Sequence, residues 1–466
     1  MLTESDTVRT GYIDEIIMNH VSSKTGWRDF SRGLQSVLLV IFGFAFSVTT
    51  VAETPISSRA ASAALVEIVS NSASIVRYRN EVLVADWRVK QRVAEDAPQV
   101  SFSTSGKFPL TDNIESVRDR VSDADRRYLD GILRVSKSMY DWGRNESLVQ
   151  AEEFRRRSAL QLYEMTFERE FAKLLVLVID HLKVSEQLRL LNTDAEFLGQ
   201  TTSAVRQRYE AGAGSLDDVR RLELRRLDLD RDREQAENLK VKIEDTVKKV
   251  FKVDVTKLQP SVLEIIKIFP NPKAVELNPT QLMVAANSSF EQRALDFEIE
   301  SILSDKRPSV TGTVTSRLFN LTTDPLAEYE VYGGIEVDFP VFDGGARDAR
   351  VQGLNTQKIV TRSELREELD RVDEGWFELT AEQQNKETMI QQEEQRLATL
   401  RLRIDSLKKR LEAVQVTIVD LADVELSRTQ SIRSLKGMEW DLVRIAVQKI
   451  DAADKLLAHL DVEIPF

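Results

Sequence analysis

Apolar residues in this chain recur with two different periods. From Arg144 to about Glu210 no proline interrupts the sequence, and Tyr163, Phe167, Phe171, Leu174, Val178 and Leu182 step by three or four positions, the spacing of one helix face. From Arg347 to Glu412, Leu397, Leu400, Ile404, Leu407 and Leu411 step 3, 4, 3, 4 as a coiled-coil seam does. At about 1.5 Å per residue each run predicts a helix of roughly 100 Å, longer than an ordinary globular domain. Elsewhere the period is two. In "EYEVYGGIEVDFPVF", Tyr329, Val331, Ile335, Val337, Phe339 and Val341 fall on one face, and Glu330, Glu336 and Asp338 on the other. A partner strand is expected from Pro308, with Val310, Val314 and Leu318 in alternation; "QVSFSTSGKF" from Gln99 and "RYLDGILRVSKSMYD" from Arg127 show the period more weakly.

The two periods meet at "DFPVFDGGARDARVQ", where a strand pattern passes through Asp343, Gly344 and Gly345 into a polar helix. "SMYDWGRNESLVQ" repeats this junction 202 positions earlier, matching Asp141, Gly143, Val149 and Gln150 to Asp343, Gly345, Val351 and Gln352. Each long run also ends in a restart. In "RYEAGAGSLDDV", Gly212 and Gly214 can take the left-handed conformation that closes a helix, and Ser215 with Asp218 reads as a capping box for the next. Thr417 and Asp420 repeat that box at the same offset, without the glycines. Each half thus reads as strands, a long helix out, a tight tip and a helix back. The expected division is residues 1–52 as an N-terminal extension and signal peptide, 53–270 as the first repeat and 271–466 as the second.

Composition removes most catalytic readings. There is no cysteine, so disulfides and thiolate chemistry are excluded. His20, His181 and His459 are scattered, with no HExxH or other close histidine cluster, and no nucleophile, phosphate loop or metal cluster is found. No enzyme activity, metal or cofactor is expected. The formal net charge of -12 makes nucleic acid a poor partner. The basic cluster from Arg220 to Arg233 alternates with acids, as in a salt-bridged helix face. "VLLVIFGFAF" (Val37 to Phe46), behind Arg28 and Arg32 and before small residues, reads as a signal peptide cleaved after Ala52 and is too short for a spanning helix. Initiation at Met18 is an alternative to Met1, and residues 1–33 have no assigned use.

Strands of about ten residues, apolar on one face and charged on the other, carry the pattern of a membrane barrel, although a soluble two-sheet domain has the same signature. Four strands cannot close a barrel, for which about eight is the smallest workable number, and lipid tolerates no open edge. Several chains must then share one barrel; three would supply twelve strands.

These segments resemble the TolC-like outer membrane efflux proteins over roughly residues 60 to 460, most specifically in "GGIEVDFPVFDGGARDARV" and "RYEAGAGSLDDVRRLELRRLDLDRDREQAENL". The fold class implied is mainly α with membrane β: a homotrimer whose twelve-stranded β-barrel, four strands per chain, continues into a periplasmic α-helical coiled-coil tunnel with an internal twofold repeat. The resemblance implies a bacterial outer membrane exit duct that partners outer membrane lipid, a periplasmic adaptor and an inner-membrane transporter of ABC, RND or similar type. Asp141, Gly143, Pro340, Asp343, Gly344 and Gly345 then mark the barrel-to-tunnel transition, with Pro340 at the end of the hydrogen-bonded ladder. Asp420 and Asp423 fall where such channels ring the periplasmic entrance with aspartates, and Asp420 is equally placed to cap its own helix. Ala211, Gly212, Ser215, Leu216, Ala413, Thr417 and Ile418 match the tips that meet the adaptor, and turn chemistry alone also accounts for them. Leu411 and Val416 stand where the best-known members carry a tyrosine and an arginine that hold the entrance shut. The competing reading is a periplasmic adaptor with an N-terminal anchor and a single helical hairpin. Drug efflux, type I protein secretion and polysaccharide export are not separated by these residues.

Overall fold

The computed structural model describes residues 58–107, 128–267, 275–319, 329–413 and 416–462, with Phe269, Ile464 and Pro465. The expected signal peptide and residues 414 and 415 of the second tip lie outside the described residues. In chain order the elements are α1 (Ser58–Ser70), α2 (Ala73–Glu95), β1 (Gln99–Lys107), β2 (Tyr128–Tyr140), α3 (Arg144–Glu210), α4 (Leu216–Phe251), α5 (Gln259–Ile266), α6 (Met283–Ser304), β3 (Ser309–Leu318), β4 (Tyr329–Asp338), α7 (Ala346–Glu412), α8 (Ile418–Ala452) and a last turn, α9 (Leu456–His459).

The α3 and α7 helices each run for 67 residues, about 100 Å. Helix α3 folds back through α4, and α7 through α8; α3 also packs along α8, which places the two hairpins side by side. An architecture with a single hairpin is therefore not the one this chain adopts. The predicted stripe on α3 is the core: Tyr163, Phe167, Phe171, Leu174 and Val178 are buried, while Leu182 lies half-buried at its edge. Around them close α1, α5, the ends of α4 and α8, and Leu456, Leu457 and Leu460 of the C-terminal turn. The main core thus sits partway along the shaft. On α7 the predicted seam holds at Leu397, Ile404 and Leu407, which are buried. The rest of α7 is largely polar and leaves Ile359, Phe377 and Leu402 exposed.

The four strands form one antiparallel sheet in the order β1-β2-β3-β4. Cross-strand partners share a face, so the pairs Val100↔Val135, Phe102↔Leu133, Val135↔Val314, Val310↔Val337 and Leu318↔Tyr329 trace one apolar surface across all four strands. The opposite face carries Ser101, Ser103, Arg134, Thr313, Thr315, Arg317, Glu330 and Glu336. Most of the apolar surface is uncovered, with Val100, Phe102, Val331 and Ile335 all exposed. Among the described residues, β1 and β4 each leave one edge unpaired. The ladder ends at the Ser309↔Asp338 pair, so Phe339 and Val341, expected on the strand, lie beyond it. Pro340, lacking an N–H, follows two residues after that end.

Candidate functional site

At the sheet end of the long helices the two junctions are built alike. Asp141 accepts from the N–H groups of Gly143 (3.1 Å) and Asn145 (2.9 Å). Asp343 does the same for Gly345 (3.0 Å) and Arg347 (3.1 Å), and these bonds hold its carboxyl below the ordinary value. Gly143 (φ 77°) and Gly345 (φ 86°) are the N-cap residues, in left-handed conformation, that turn the chain into α3 and α7. The residue before each is left-handed as well: Gly344 in the second junction and Trp142 in the first. A tryptophan there is strained, and it is anchored by Nε1 donating to the Pro308 carbonyl (2.8 Å) and by Arg307 over its ring (5.1 Å). Asp305 ties the junctions together through Arg144 (3.2 Å) and Arg347 (3.0 Å), a contact that sequence reading missed.

At the far end, α3 closes by a Schellman motif. The N–H of Gly212 (φ 74°) donates to the Tyr209 carbonyl and that of Ala213 to Arg208, with Ala211 as C-cap. Gly214 is not left-handed, contrary to expectation; its need is closeness, since an added Cβ would stand 3.0 Å from the Tyr209 nitrogen. The box expected at Ser215 and Asp218 does not form either. The Ser215 hydroxyl accepts from Asp217 N (3.1 Å), one residue earlier, and Asp218 faces Arg221 (3.9 Å). The second box does form. Asp420 N donates to the Thr417 hydroxyl (3.2 Å), and Thr417 N (3.0 Å) and Oγ1 (2.9 Å) donate to Asp420. These bonds, with smaller help from Arg221 and Arg410, hold the Asp420 carboxyl below its ordinary value.

Capping leaves Asp420 Oδ1 facing Arg221 at 3.7 Å. Asp423 meets Arg225 at 3.2 Å and Arg221 at 3.9 Å. The predicted aspartates are thus clasped, within one protomer, by two arginines of the first hairpin. The salt-bridged face expected from Arg220 to Arg233 is present, with Arg221 near Asp218, Arg226 near Asp230 and Arg231 near Asp228, but Arg221 and Arg225 also reach across to the second hairpin. A signal was present: Arg221 and Asp423 stand six residues after their respective N-caps, Ser215 and Thr417, so the 202-residue offset sets opposite charges at matching positions. Beneath the clasp, Val205 of α3, Leu222 of α4 and Val419 and Ala422 of α8 share an apolar cluster, which holds the tips side by side.

Further along, Arg433 pairs with buried Asp194, and Asp441 bridges Lys183 (2.5 Å) and Lys386 (2.8 Å). Burial alone would raise the Asp441 carboxyl, but the two lysines outweigh it and hold it low. The hairpins are therefore joined by charge at three levels. At the tips, Leu216 is exposed at 40%, whereas Ile418 is half-buried on the inter-hairpin cluster. Ala211, Gly212, Ser215, Ala413 and Thr417 are exposed. Leu411 and Val416 are half-buried, Val416 packing near Ile404, Leu407 and Val424.

No protein-family model matches the sequence, and no curated protein matches it. Solved structures do. The CmeC outer membrane channel of Campylobacter jejuni aligns with a TM-score of 0.70 over 88% of this chain and 91% of that chain, at 11% identity. The outer membrane protein VceC of Vibrio cholerae gives 0.67 over 86% and 96% at 12% identity. The MtrE outer membrane channel of Neisseria gonorrhoeae, in its open state, gives 0.62 over 86% and 89% at 11% identity. From the two matching strand-to-helix junctions to the paired hairpins, the chain has the fold of the TolC-like outer membrane channels.

Proposed function

We propose that the chain is one protomer of a trimeric outer membrane duct in a bacterial export system. The observation that carries this reading is the sheet: among the described residues, four strands with one exposed apolar face, one polar face and two unpaired edges, joined to helices of about 100 Å. An open sheet of this kind is unstable in water and in lipid alike; pairing β4 of one copy with β1 of the next removes both edges. Three copies make a barrel of twelve strands, apolar side to the lipid and polar side to the lumen, above a tunnel of twelve helices. The exposed apolar residues of α7 then find partners on neighbouring protomers. The matched junctions and the 202-residue offset support a twofold repeat, residues 53–270 and 271–466, behind an extension and signal peptide at 1–52.

On this reading the tips face the periplasm. Asp420 and Asp423, clasped by Arg221 and Arg225, close the entrance, and separating the hairpins exposes a ring of carboxylates that favours cations. Ala211, Gly212, Ser215, Leu216, Ala413, Thr417 and Ile418 supply the surface for a periplasmic adaptor linked to an inner-membrane transporter; exposed Leu216 favours that use. The duct is passive and does no chemistry of its own.

The test is the molecular mass of the detergent-extracted protein followed by single-channel recording in a planar bilayer. A trimer with small, cation-selective openings is the expected result. A well-folded monomer that forms no pores would reject the duct.

A further inference from the structure

We infer that the C-terminal turn is seated on the shaft by a proton-operated lock, in which protonated Glu168 and its carboxylate neighbours hold residues 454–460 in place and loss of those protons releases them. Such a lock needs only the shaft of one protomer and is independent of the duct.

Glu168 lies on the core side of α3, exposed at only 2%, and its Oε1 accepts from the N–H of Leu456 at 2.5 Å. That bond fixes the start of α9, whose Leu456 and Leu457, with Leu460 behind them, fill the central core. Asp454 (φ 52°) accepts from the N–H of Met283 at 2.7 Å, which ties the same turn to the first residue of α6. Beside it lies a cavity of about 70 Å³ between Met165, Arg169, Leu282, Glu368, Asp451 and Asp454.

The charges that face this place are unbalanced. Helix α3 brings Glu168 and Arg169, α7 brings Glu368 and its partner Arg371, α8 brings Asp451, and the turn itself brings Asp454, Lys455 and His459, the last stacked on Phe269 (6.0 Å). Helix α6 contributes its N–H and the apolar Leu282 and Val284. Lys455 turns away to the Glu276 carbonyl (3.0 Å), and Arg169 approaches Glu368 (3.6 Å). Glu368 is paired with Arg371 as well as Arg169, which among the described residues leaves Glu168, Asp451 and Asp454 without an ion pair of their own in a site of low polarity, where full ionisation is costly.

Protons resolve the imbalance. Burial pushes Glu168 up to about 8 against the donated N–H of Leu456 and Leu457, and the neighbouring Asp451 and Asp454 add to the rise. Burial also pushes Asp451 up to about 7, with Arg169 opposing, and raises Asp454 against the N–H of Met283. All three lie above their ordinary values, 4.5 for Glu168 and 3.8 for each aspartate, so the folded state binds the protons more tightly than the unfolded one. The lock is complete below those ordinary values and is lost as pH rises through about 7 and then about 8.

Hydrogen exchange of the full-length protein in detergent tests this, with peptides covering residues 454–460 and rates corrected for intrinsic base catalysis. In wild type the corrected opening at Leu456 and Leu457 should grow about tenfold or more per pH unit from the ordinary 4.5 of a glutamate up to about 8, and level off above about 8. Glu168→Gln keeps an acceptor for Leu456 N and cannot ionise; its opening should change less than about twofold on the Glu168 step. Wild-type opening that is flat from about pH 6 to 9, or an equal rise in Glu168→Gln, overturns the lock. Should that variant fold poorly, infrared spectra of glutamate-labelled wild type decide the matter: the carbonyl stretch of a protonated buried glutamic acid is expected near pH 6 and lost near pH 9, and its absence near pH 6 overturns the proposal.

Discussion

Removing the arginine clasp at the tips with Arg221→Ala/Arg225→Ala gives a quantitative test of the proposed entrance. The contacts are Arg225–Asp423 at 3.2 Å, Arg221–Asp420 at 3.7 Å and Arg221–Asp423 at 3.9 Å, between side chains that all remain partly exposed. Solvent screening limits each to the lower part of the roughly 0.2–1 kcal/mol range for exposed pairs, so one protomer loses about 1 kcal/mol. If three copies act together, the closed state loses about 3 kcal/mol, which is about a hundredfold in the closed-to-open ratio. Single-channel recording should therefore show openings that are more frequent and longer, with cation selectivity kept because the aspartates remain. Salt near 1 M, with a Debye length of about 3 Å, should push wild type in the same direction. The charge swap Arg225→Asp with Asp423→Arg should recover part of the wild-type closure, as a double-mutant cycle requires. Open probability unchanged in the double alanine variant, with the protein trimeric and folded, would refute the clasp as the closing element.

Three further outcomes are expected, each read by thermal or denaturant unfolding in detergent. Thr417→Ala removes the hydroxyl from the only complete capping box among the described helix starts and should cost about 1 kcal/mol near neutral pH. Because the Asp420 carboxyl is depressed, its contribution is present above the ordinary 3.8 and lost as pH falls through its lower folded value, so the deficit of the variant should shrink in acid. Gly345→Ala meets no atom within 4 Å, so its cost is that of a left-handed residue at φ 86°, about 1–2 kcal/mol; Gly345→Asn should cost less. Asp441→Ala leaves Lys183 and Lys386 facing each other without their shared carboxylate and should cost roughly 3 kcal/mol, part of it recovered by adding Lys386→Met. A loss well under about 1 kcal/mol would mean that both lysines reach water freely.

Much of the fold was legible because its signals are local. The long helices begin and end within a residue of the sequence expectation, where Gly143, Gly212 and Gly345 punctuate an unbroken 3.6-residue period. The β4 alternation was plain, while β1 read weakly because Ser, Thr and Gly fill most of it, and β2 because Gly131 and Lys137 interrupt its apolar side; only the register joined Val100 and Phe102 to the apolar face. Local spacing also misled. Ser215–Asp218 and Thr417–Asp420 share one pattern, yet only the second closes its box, because Ser215 takes Asp217 N instead and Asp218 faces Arg221.

The sequence by itself determined two long amphipathic hairpins, the glycine-bearing junctions that start them and a set of two-faced strands. Periodicity, turn preference and the missing cysteines act over a few residues and survive in the unfolded chain. Only the tertiary structure decided which charges meet. Arg225 finds Asp423 198 residues away, and Asp305 joins two junctions that lie 202 residues apart. It also decided which carboxyl groups are buried, since Glu168 reads as one more acid on a long helix until packing places it under Leu456. Electrostatic energy depends on separation and on exclusion of water, and both arise only when segments far apart in the chain are packed together.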